Sequence, residues 1–153
     1  CLTSNHPIKF VGNWDNSDYG KELRRRYADH ASIELLDPVY DLAQLFSYRP
    51  HCKVYLHGHS AGGTNPSLVE MMHFAKPILA YDCNYNRATM NNHGGYFASA
   101  EDLSALLSKG EFLAHNSGTA LRDIAIEKYT WSGIRQAYLA LLNDVNCAPN
   151  SPS

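Results

Sequence analysis

The chain has 153 residues, of which 44% are apolar and 18% are charged, and its formal net charge is -2 at pH 7. This length and composition suffice for the core of one globular domain, and the charge gives no electrostatic reason to expect nucleic acid as a partner. No apolar run approaches the roughly 20 residues of a transmembrane helix, and no segment resembles a secretory signal.

Short apolar runs alternate with helical patterns along the chain. The predicted strands cover residues 8–11, 33–36, 53–56, 77–81 and 96–97. The predicted helices cover residues 19–28, 42–48, 66–75, 84–92, 100–108, 112–129 and 131–142. This alternation predicts an α/β fold with a Rossmann-like parallel sheet and helices on both faces. We expect one domain over residues 1–143 and a tail over residues 144–153.

Several apolar and sulfur-containing side chains are predicted to pack in the interior. Met71, Met72 and Phe74 lie at positions expected of a helix that packs on the sheet. Trp131 and Tyr138 are seven residues apart and therefore share a helix face, which we expect to pack on the sheet. The four cysteines form no Cys-x-x-Cys pair, and those at 52 and 83 are expected to be buried thiols in a reducing compartment.

The stretch from Val54 to Glu70 carries the most informative pattern. An apolar run ends in a glycine-rich turn, and the turn leads into Asn65 and Pro66, a good N-cap followed by a good first helical residue. Free backbone N–H groups and the positive end of the helix dipole would then point at the same spot. A strand, a glycine loop and a capped helix in this order predict a phosphate-binding site.

The same residues allow a second interpretation. From Gly58 onward they spell Gly-His-Ser-Ala-Gly, which matches the nucleophile elbow of serine hydrolases of the α/β-hydrolase type. The elbow needs a helix directly behind Ser60, and Pro66 would then destabilise that helix by roughly 3 kcal/mol. An esterase that uses Ser60 is therefore the alternative hypothesis, and it is less favoured than the phosphate site.

Two histidines in this stretch raise the question of a metal. His57 and His59 stand two residues apart, so on an extended strand they would share a face. No carboxylate or cysteine stands beside them at ligand spacing, and we predict no metal site. We expect one of these imidazoles to border a bound phosphate or sugar instead.

The segment Gly-Gly-Thr-Asn-Pro-Ser-Leu-Val-Glu70, followed by Met-Met-His-Phe-Ala-Lys-Pro-Ile-Leu-Ala80, resembles the donor site of retaining GT-B glycosyltransferases of the family-4 type. In particular it is similar to the bacterial rhamnosyltransferase-like branch, which carries H-G-H-S-x-G-G-T-N-P-S-L-x-E-A-M. The chain keeps the second glutamate of the wider family pattern as Glu70, but glycine stands at position 62, where the first glutamate would fall. Met71 and Ala75 replace the usual alanine and glycine. The similarity extends from about Ile8 to Leu142.

The resemblance implies the donor-binding domain of a glycosyltransferase. Such an enzyme moves a sugar, here expected to be rhamnose, from a nucleotide-diphosphate sugar to a glycan acceptor in cell-surface polysaccharide synthesis. The nucleotide sugar is the donor substrate, and no cofactor is implied. The implied donor-binding residues are His59, Gly62, Gly63, Thr64, Asn65, Ser67, Leu68 and Glu70. The implied contacts to the base or the phosphates are Asp37, Val39 and Arg87, and no residue is given a catalytic role.

Within that set, Glu70 would accept hydrogen bonds from the ribose hydroxyls, and the loop backbone would meet the diphosphate. The resemblance also implies parts that the chain lacks, namely the acceptor domain and the first strand and helix of the donor domain. In a sheet of order 3-2-1-4-5-6 that strand is the central one. We therefore expect a fragment or processed product that is inactive alone. The full-length enzyme is expected to be cytoplasmic, with peripheral association at the inner face of the membrane.

Overall fold

The computed structural model describes residues 6–110 and 117–147, with side chains described through residue 143 apart from Ser117. The chain divides into two compact units, Cys1–Cys52 and Lys53–Ser153. Within the described ranges, every pair of neighbouring strands is parallel, and each unit combines strands with helices. The predicted α/β, Rossmann-like fold class is confirmed.

The first unit contains a two-stranded parallel sheet. Strand β1 (Ile8–Val11) pairs with β2 (Ile33–Leu36), so that Ile8 lies opposite Ile33. The connection holds a 3-10 helix at Trp14–Asn16 and helix α1 (Asp18–Tyr27), and helix α2 (Leu42–Tyr48) follows β2. A short 3-10 helix at Arg49–His51 ends the unit.

Both helices of this unit begin at a capping side chain. Ser17 accepts a hydrogen bond from the backbone N–H of Gly20 at 3.1 Å, and Asp41 accepts one from Gln44 at 3.1 Å. Such caps satisfy N–H groups that have no partner inside the helix. The predicted helix over 42–48 and both predicted strands have the observed bounds.

The second unit contains a three-stranded parallel sheet in the order β3-β4-β5. Its strands are β3 (Tyr55–His57), β4 (Ile78–Tyr81) and β5 (Gly95–Phe97). Its helices are α3 (Pro66–Met72), α4 (Asn84–Thr89), α5 (Ala100–Lys109), α6 (Ser117–Lys128) and α7 (Trp131–Cys147). The predicted helix over 112–129 corresponds to α6. Residues 112–116 of that prediction lie outside the described residues.

The core of the second unit forms around the central strand β4. Ile78, Leu79 and Ala80 are buried, as expected for a parallel strand covered on both faces. The other buried apolar side chains come from the flanking helices and from the residue that ends α4; they include Leu68, Met71, Met72, Met90, Leu107, Leu121, Ile124 and Ala125. The prediction that Met71 and Met72 belong to the core is confirmed.

Helix α7 differs from the prediction in its length and in the face that it presents to solvent. It ends at Cys147 rather than at Leu142. Trp131 and Tyr138 are 87% and 67% exposed, so the expectation that they pack on the sheet is wrong. Gly133 of α7 lies against the backbone of Glu127 in α6. Around the axis of α7, Trp131 and Tyr138 each point roughly 140–160° away from the direction of Gly133. The face that meets α6 is therefore the opposite one.

Cys52 and Cys83 are the cysteines whose side chains the structure describes, and both are only partly buried. Cys52 follows the 3-10 helix at the end of the first unit, and Cys83 is the residue before α4. Because both stand at the ends of elements rather than inside a strand, the expectation of buried thiols is wrong.

Helix α6 lies unusually close to the backbone of the turn between α3 and β4. Ala75 has a φ of 53°, in the left-handed region, where the family pattern has glycine. Gly118, in the first turn of α6, is buried against the backbone of Ala75 and Lys76, and a Cβ at residue 118 would overlap the carbonyl of Ala75. Only glycine fits there, since backbone cannot move aside as a flexible side chain can.

We predict that Gly118→Ala destabilises the protein by about 1–3 kcal/mol, because it forces α6 away from this turn. Gly63→Ala is the matched control, since no atom lies within 4 Å of the position of its Cβ. Chemical unfolding of both variants measures the difference. Equal midpoints for Gly118→Ala and the wild type would contradict the close approach of α6.

Candidate functional site

An exposed glycine loop follows strand β3 at its carboxyl end. Residues 58–64 are exposed, and the loop ends at Asn65, whose side chain accepts a hydrogen bond from the N–H of Ser67 at 2.9 Å. Pro66 is the first residue of α3. The predicted strand, glycine loop and capped helix are all present in the predicted order.

The conformation of the loop leaves open space in front of its glycines. Gly62 has a φ of 102°, which L side chains rarely adopt, and no atom lies within 4 Å of a Cβ placed at Gly58, Gly62 or Gly63. No backbone N–H of residues 59–64 donates a hydrogen bond to the backbone of the described residues. These N–H groups can therefore meet a ligand, and the glycines let it come close.

Helix α3 divides the remaining predicted donor-binding residues between its two faces. Ser67 and Glu70 are exposed, whereas the side chain of Leu68 is fully buried in the core together with Met71 and Met72. A contact from Leu68 to a donor would have to come from its backbone. Glu70 is an exposed residue of the helix that begins directly after the glycine loop.

A buried histidine lies directly before the loop. His57 is 1% exposed, and its ring lies between the rings of Tyr55 and His59, with centroid distances of 5.9 Å and 4.9 Å. Its Nε2 atom has no hydrogen-bond partner in the described structure. Burial, reinforced by the neighbouring imidazole of His59, lowers the pKa of His57 to about 4. The ring is therefore neutral at pH 7.

A buried amide holds the start of the glycine loop. Asn86, on α4, is 3% exposed, and its Nδ2 donates one hydrogen bond to the carbonyl of His59 and one to that of Tyr81, both at 2.9 Å. The sequence analysis did not single out Asn86. It lies in a polar segment whose composition resembles that of a solvent-exposed helix or loop, so no local signal indicates its burial.

A charged pair joins the same helix to Asp82, the residue after β4. Arg87 donates to Asp82 through Nε at 2.5 Å and through a terminal nitrogen at 2.8 Å, and its guanidinium lies 4.2 Å from the ring centroid of Tyr96. The hydrogen bond from Arg87 lowers the pKa of Asp82, and burial raises the pKa of Tyr96 to about 12. The role of Arg87 as a phosphate contact stays a prediction.

The predicted base contacts lie in the first unit. Asp37 is exposed and follows β2, where it forms an ion pair with Arg24, which also binds Asp15 at 2.7 Å. Val39 is partly buried. Both residues follow the carboxyl end of a parallel strand, where ligands of such sheets bind, and their role stays a prediction.

The structure gives no support to the alternative hypothesis of a serine hydrolase. Ser60 is exposed and lies in the loop, because α3 begins only at Pro66. The sharp turn from strand to helix that activates an elbow serine is therefore missing at this residue.

Residues 6–110 and 117–147 contain neither a candidate metal centre nor a candidate membrane span. No group of three or more histidine, cysteine, aspartate or glutamate side chains there could hold a metal ion. No helix in these ranges has the length and apolar character needed to cross a membrane.

Comparison with known proteins gives matches to solved structures. No protein-family model matches the chain, and no curated protein does either. Alr3699/HepE from Anabaena, solved with UDP, has a TM-score of 0.71 and 18% identity over 91% of this chain and 41% of its own. TarM has a TM-score of 0.68 and 18% identity over 90% of this chain and 28% of its own. A glycosyltransferase from Rickettsia africae ESF-5 has a TM-score of 0.68 and 15% identity over 96% and 41% of the two chains.

At such identities the likeness shows the fold. The chain has the Rossmann-like α/β fold expected of one half of a GT-B protein, and it spans 28% to 41% of the length of these three structures. Alr3699/HepE has also been solved with UDP-glucose, in a structure that matches this chain with a TM-score of 0.69.

We predict that His57 makes the stability of the protein pH-dependent. Its pKa is about 4 in the folded state and about 6.5 when unfolded. The unfolded state therefore binds more protons between these values, and the free energy of unfolding falls as the pH drops from 6.5 towards 4, by at most about 3 kcal/mol. Urea unfolding at a series of pH values measures this slope.

The variant His57→Leu should lose this part of the pH dependence. His73→Gln, which changes an exposed histidine after α3, should keep it. The same slope in His57→Leu and the wild type would show that His57 is not the titrating group.

Proposed function

We propose that the chain is the donor-binding part of a glycosyltransferase that uses a nucleoside-diphosphate sugar. The observation that carries the proposal is the open glycine loop at the carboxyl end of β3, in a fold shared with a protein solved with UDP and UDP-glucose. In open α/β sheets, ligands bind outside the carboxyl ends of the strands. The loop lies at this place.

The chemistry of the loop suits a diphosphate. Its N–H groups are hydrogen-bond donors that the described backbone does not use, and a phosphate oxygen accepts such bonds. Gly63 leaves room for an anion to approach the main chain, and the N-terminus of α3 adds a favourable partial charge. The backbone of Gly63, Thr64 and Asn65 is the proposed diphosphate contact.

Glu70 suits the ribose of the same ligand. It is exposed on α3, the helix that begins directly after the loop. A carboxylate has two oxygens and can accept hydrogen bonds from two neighbouring hydroxyls at once. The diphosphate and the ribose of a nucleotide would thus be held by consecutive parts of one strand-loop-helix segment.

The finer features of the activity are proposals that rest on the similarity of the motif to the rhamnosyltransferase-like branch. They are rhamnose as the sugar, a glycan acceptor, and a role in cell-surface polysaccharide synthesis next to the inner face of the membrane. We also propose that transfer needs a separate acceptor-binding part, so that this chain alone binds donor without turning it over.

The first test of this function is Glu70→Gln in the full-length protein. The change keeps the size of the side chain and removes the charge that strengthens its hydrogen bonds to two hydroxyls. We expect UDP affinity to fall about tenfold, which corresponds to about 1.4 kcal/mol. Binding of pyrophosphate, which has no ribose, should not change. Paired calorimetric titrations of the two ligands measure both effects.

Glu101→Gln is the matched control, since Glu101 is an exposed glutamate in the first turn of another helix. It should bind both ligands like the wild type. If Glu70→Gln weakens UDP and pyrophosphate equally, or weakens neither, then Glu70 does not hold the ribose.

The second test is Gly63→Val, which places a branched side chain in the open space before the loop. Because no atom lies within 4 Å of the Cβ position and φ is not positive there, the protein should stay folded. We expect UDP and pyrophosphate affinity to fall by about tenfold or more, equivalent to at least about 1.4 kcal/mol. Gly58→Val, at another open glycine outside the proposed contacts, should have the smaller effect. Unchanged affinity of a folded Gly63→Val variant would remove the loop from the diphosphate site.

A further inference from the structure

The amide of Asn86 joins two segments that are far apart in sequence. Its single NH2 group donates to the carbonyl of His59 in the glycine loop and to the carbonyl of Tyr81 at the end of β4. An amide NH2 has two hydrogens, and both are used here. The side chain is 3% exposed, so water does not compete easily for these bonds.

The helix that carries Asn86 is itself held firmly. The ion pair between Arg87 and Asp82 fixes α4 to the end of β4, and the stacking of Arg87 on Tyr96 fixes it to β5. At the end of the helix, the hydroxyl of Tyr129 donates to the carbonyl of Thr89 at 3.2 Å. Asn86 therefore connects the loop to a part of the unit that has several other anchors.

The loop has few other anchors before its end. The next hydrogen-bonded element after His59 is the cap at Asn65. The carbonyl of His59 also lies 4.0 Å from the Sγ of Cys83, a weak contact by comparison with the amide. If the backbone at His59 were mobile, the glycines that follow would therefore be mobile too, because glycine restricts the backbone less than any other residue.

We propose that Asn86 is a positioning residue of the donor site: by holding the carbonyl of His59, it orders the glycine loop before the nucleotide diphosphate arrives. The inference rests on the proposed function of the loop. A loop that is already ordered loses less conformational entropy when the ligand binds. The affinity for the ligand therefore depends on the amide of Asn86, although Asn86 does not touch the ligand.

The choice of residue follows from the two acceptors. Asp has the same shape, but its carboxylate has no donor and would place a negative charge against two carbonyl oxygens. Alanine removes the donors and leaves both carbonyls without a partner. Asn86→Asp and Asn86→Ala should therefore release the loop by different means and give the same effect on binding.

Thr89→Val is the matched control. Thr89 lies on the same helix and is equally buried, but its hydroxyl donates only within the helix, to the carbonyl of Tyr85 at 2.8 Å. This variant reproduces the loss of a buried hydrogen bond in α4 without releasing His59. Any effect that the Asn86 variants share with it is a general loss of stability.

The experiment measures loop order and ligand affinity in the full-length protein. With ¹⁵N-glycine labelling, the order parameters of Gly62 and Gly63 should fall in both Asn86 variants, from roughly 0.85 towards 0.6 or less. They should stay unchanged in Thr89→Val. Calorimetry should show about tenfold weaker UDP binding for the Asn86 variants and wild-type binding for Thr89→Val, at a temperature where all variants are folded.

The outcomes separate this inference from the proposed function. Unchanged glycine order, or wild-type UDP affinity despite a disordered loop, would overturn the positioning role of Asn86. If the wild type itself does not bind UDP or pyrophosphate, the proposed function fails, while the order parameters still decide whether Asn86 holds the loop. Equal losses in Thr89→Val and the Asn86 variants would also overturn the inference.

Discussion

The second unit depends on the burial of β4 between its neighbouring strands and the helices that cover it. Ile78, Leu79 and Ala80 are almost completely buried, and the register pairs Leu79 with both Leu56 and Gly95. Because this strand is fixed on both edges, the carboxyl ends of β3 and β4 are fixed relative to each other. The glycine loop and α4 begin at these two ends, and the geometry of the candidate site follows from them.

Helix α3 shows how one short element serves the core and the candidate site together. Leu68, Met71 and Met72 fill the core, and Ser67 and Glu70 remain on the exposed face. Burying three such side chains contributes on the order of 1.5–3 kcal/mol each. The exposed face can therefore vary without loss of the fold, whereas a change at Leu68 would alter both the fold and the direction of Glu70.

The start of α3 and the two strands of the first sheet could be predicted because local signals determine them. Asn65 and Pro66 specify a helix start by capping and by a fixed φ, and the apolar runs of β1 and β2 specify strands. These rules need no knowledge of distant residues, so the predicted bounds agree with the structure there.

The parts that depend on distant contacts could not be predicted in the same way. The sequence places Trp131 and Tyr138 on one face but does not say which face meets α6, since the close contact of Gly133 with Glu127 decides that. Likewise, alternation predicts that His57 and His59 share a face, but their different burial depends on what packs over the strand. The amide of Asn86 can be buried because two carbonyls satisfy it, and one of them belongs to a residue 27 positions earlier in the chain.

The buried imidazole and the buried amide differ in a way that bears on the site. Asn86 uses both donors of its NH2 group, whereas the Nε2 of His57 has no partner in the described structure. A buried polar atom without a hydrogen bond destabilises a fold by about 1–3 kcal/mol, so each one in a folded protein needs a physical explanation. A leucine would fill the same space without this loss. The neutral His57 ring stacks on His59 at the start of the glycine loop, so the buried end of β3 and the exposed loop are in direct contact through these two imidazoles.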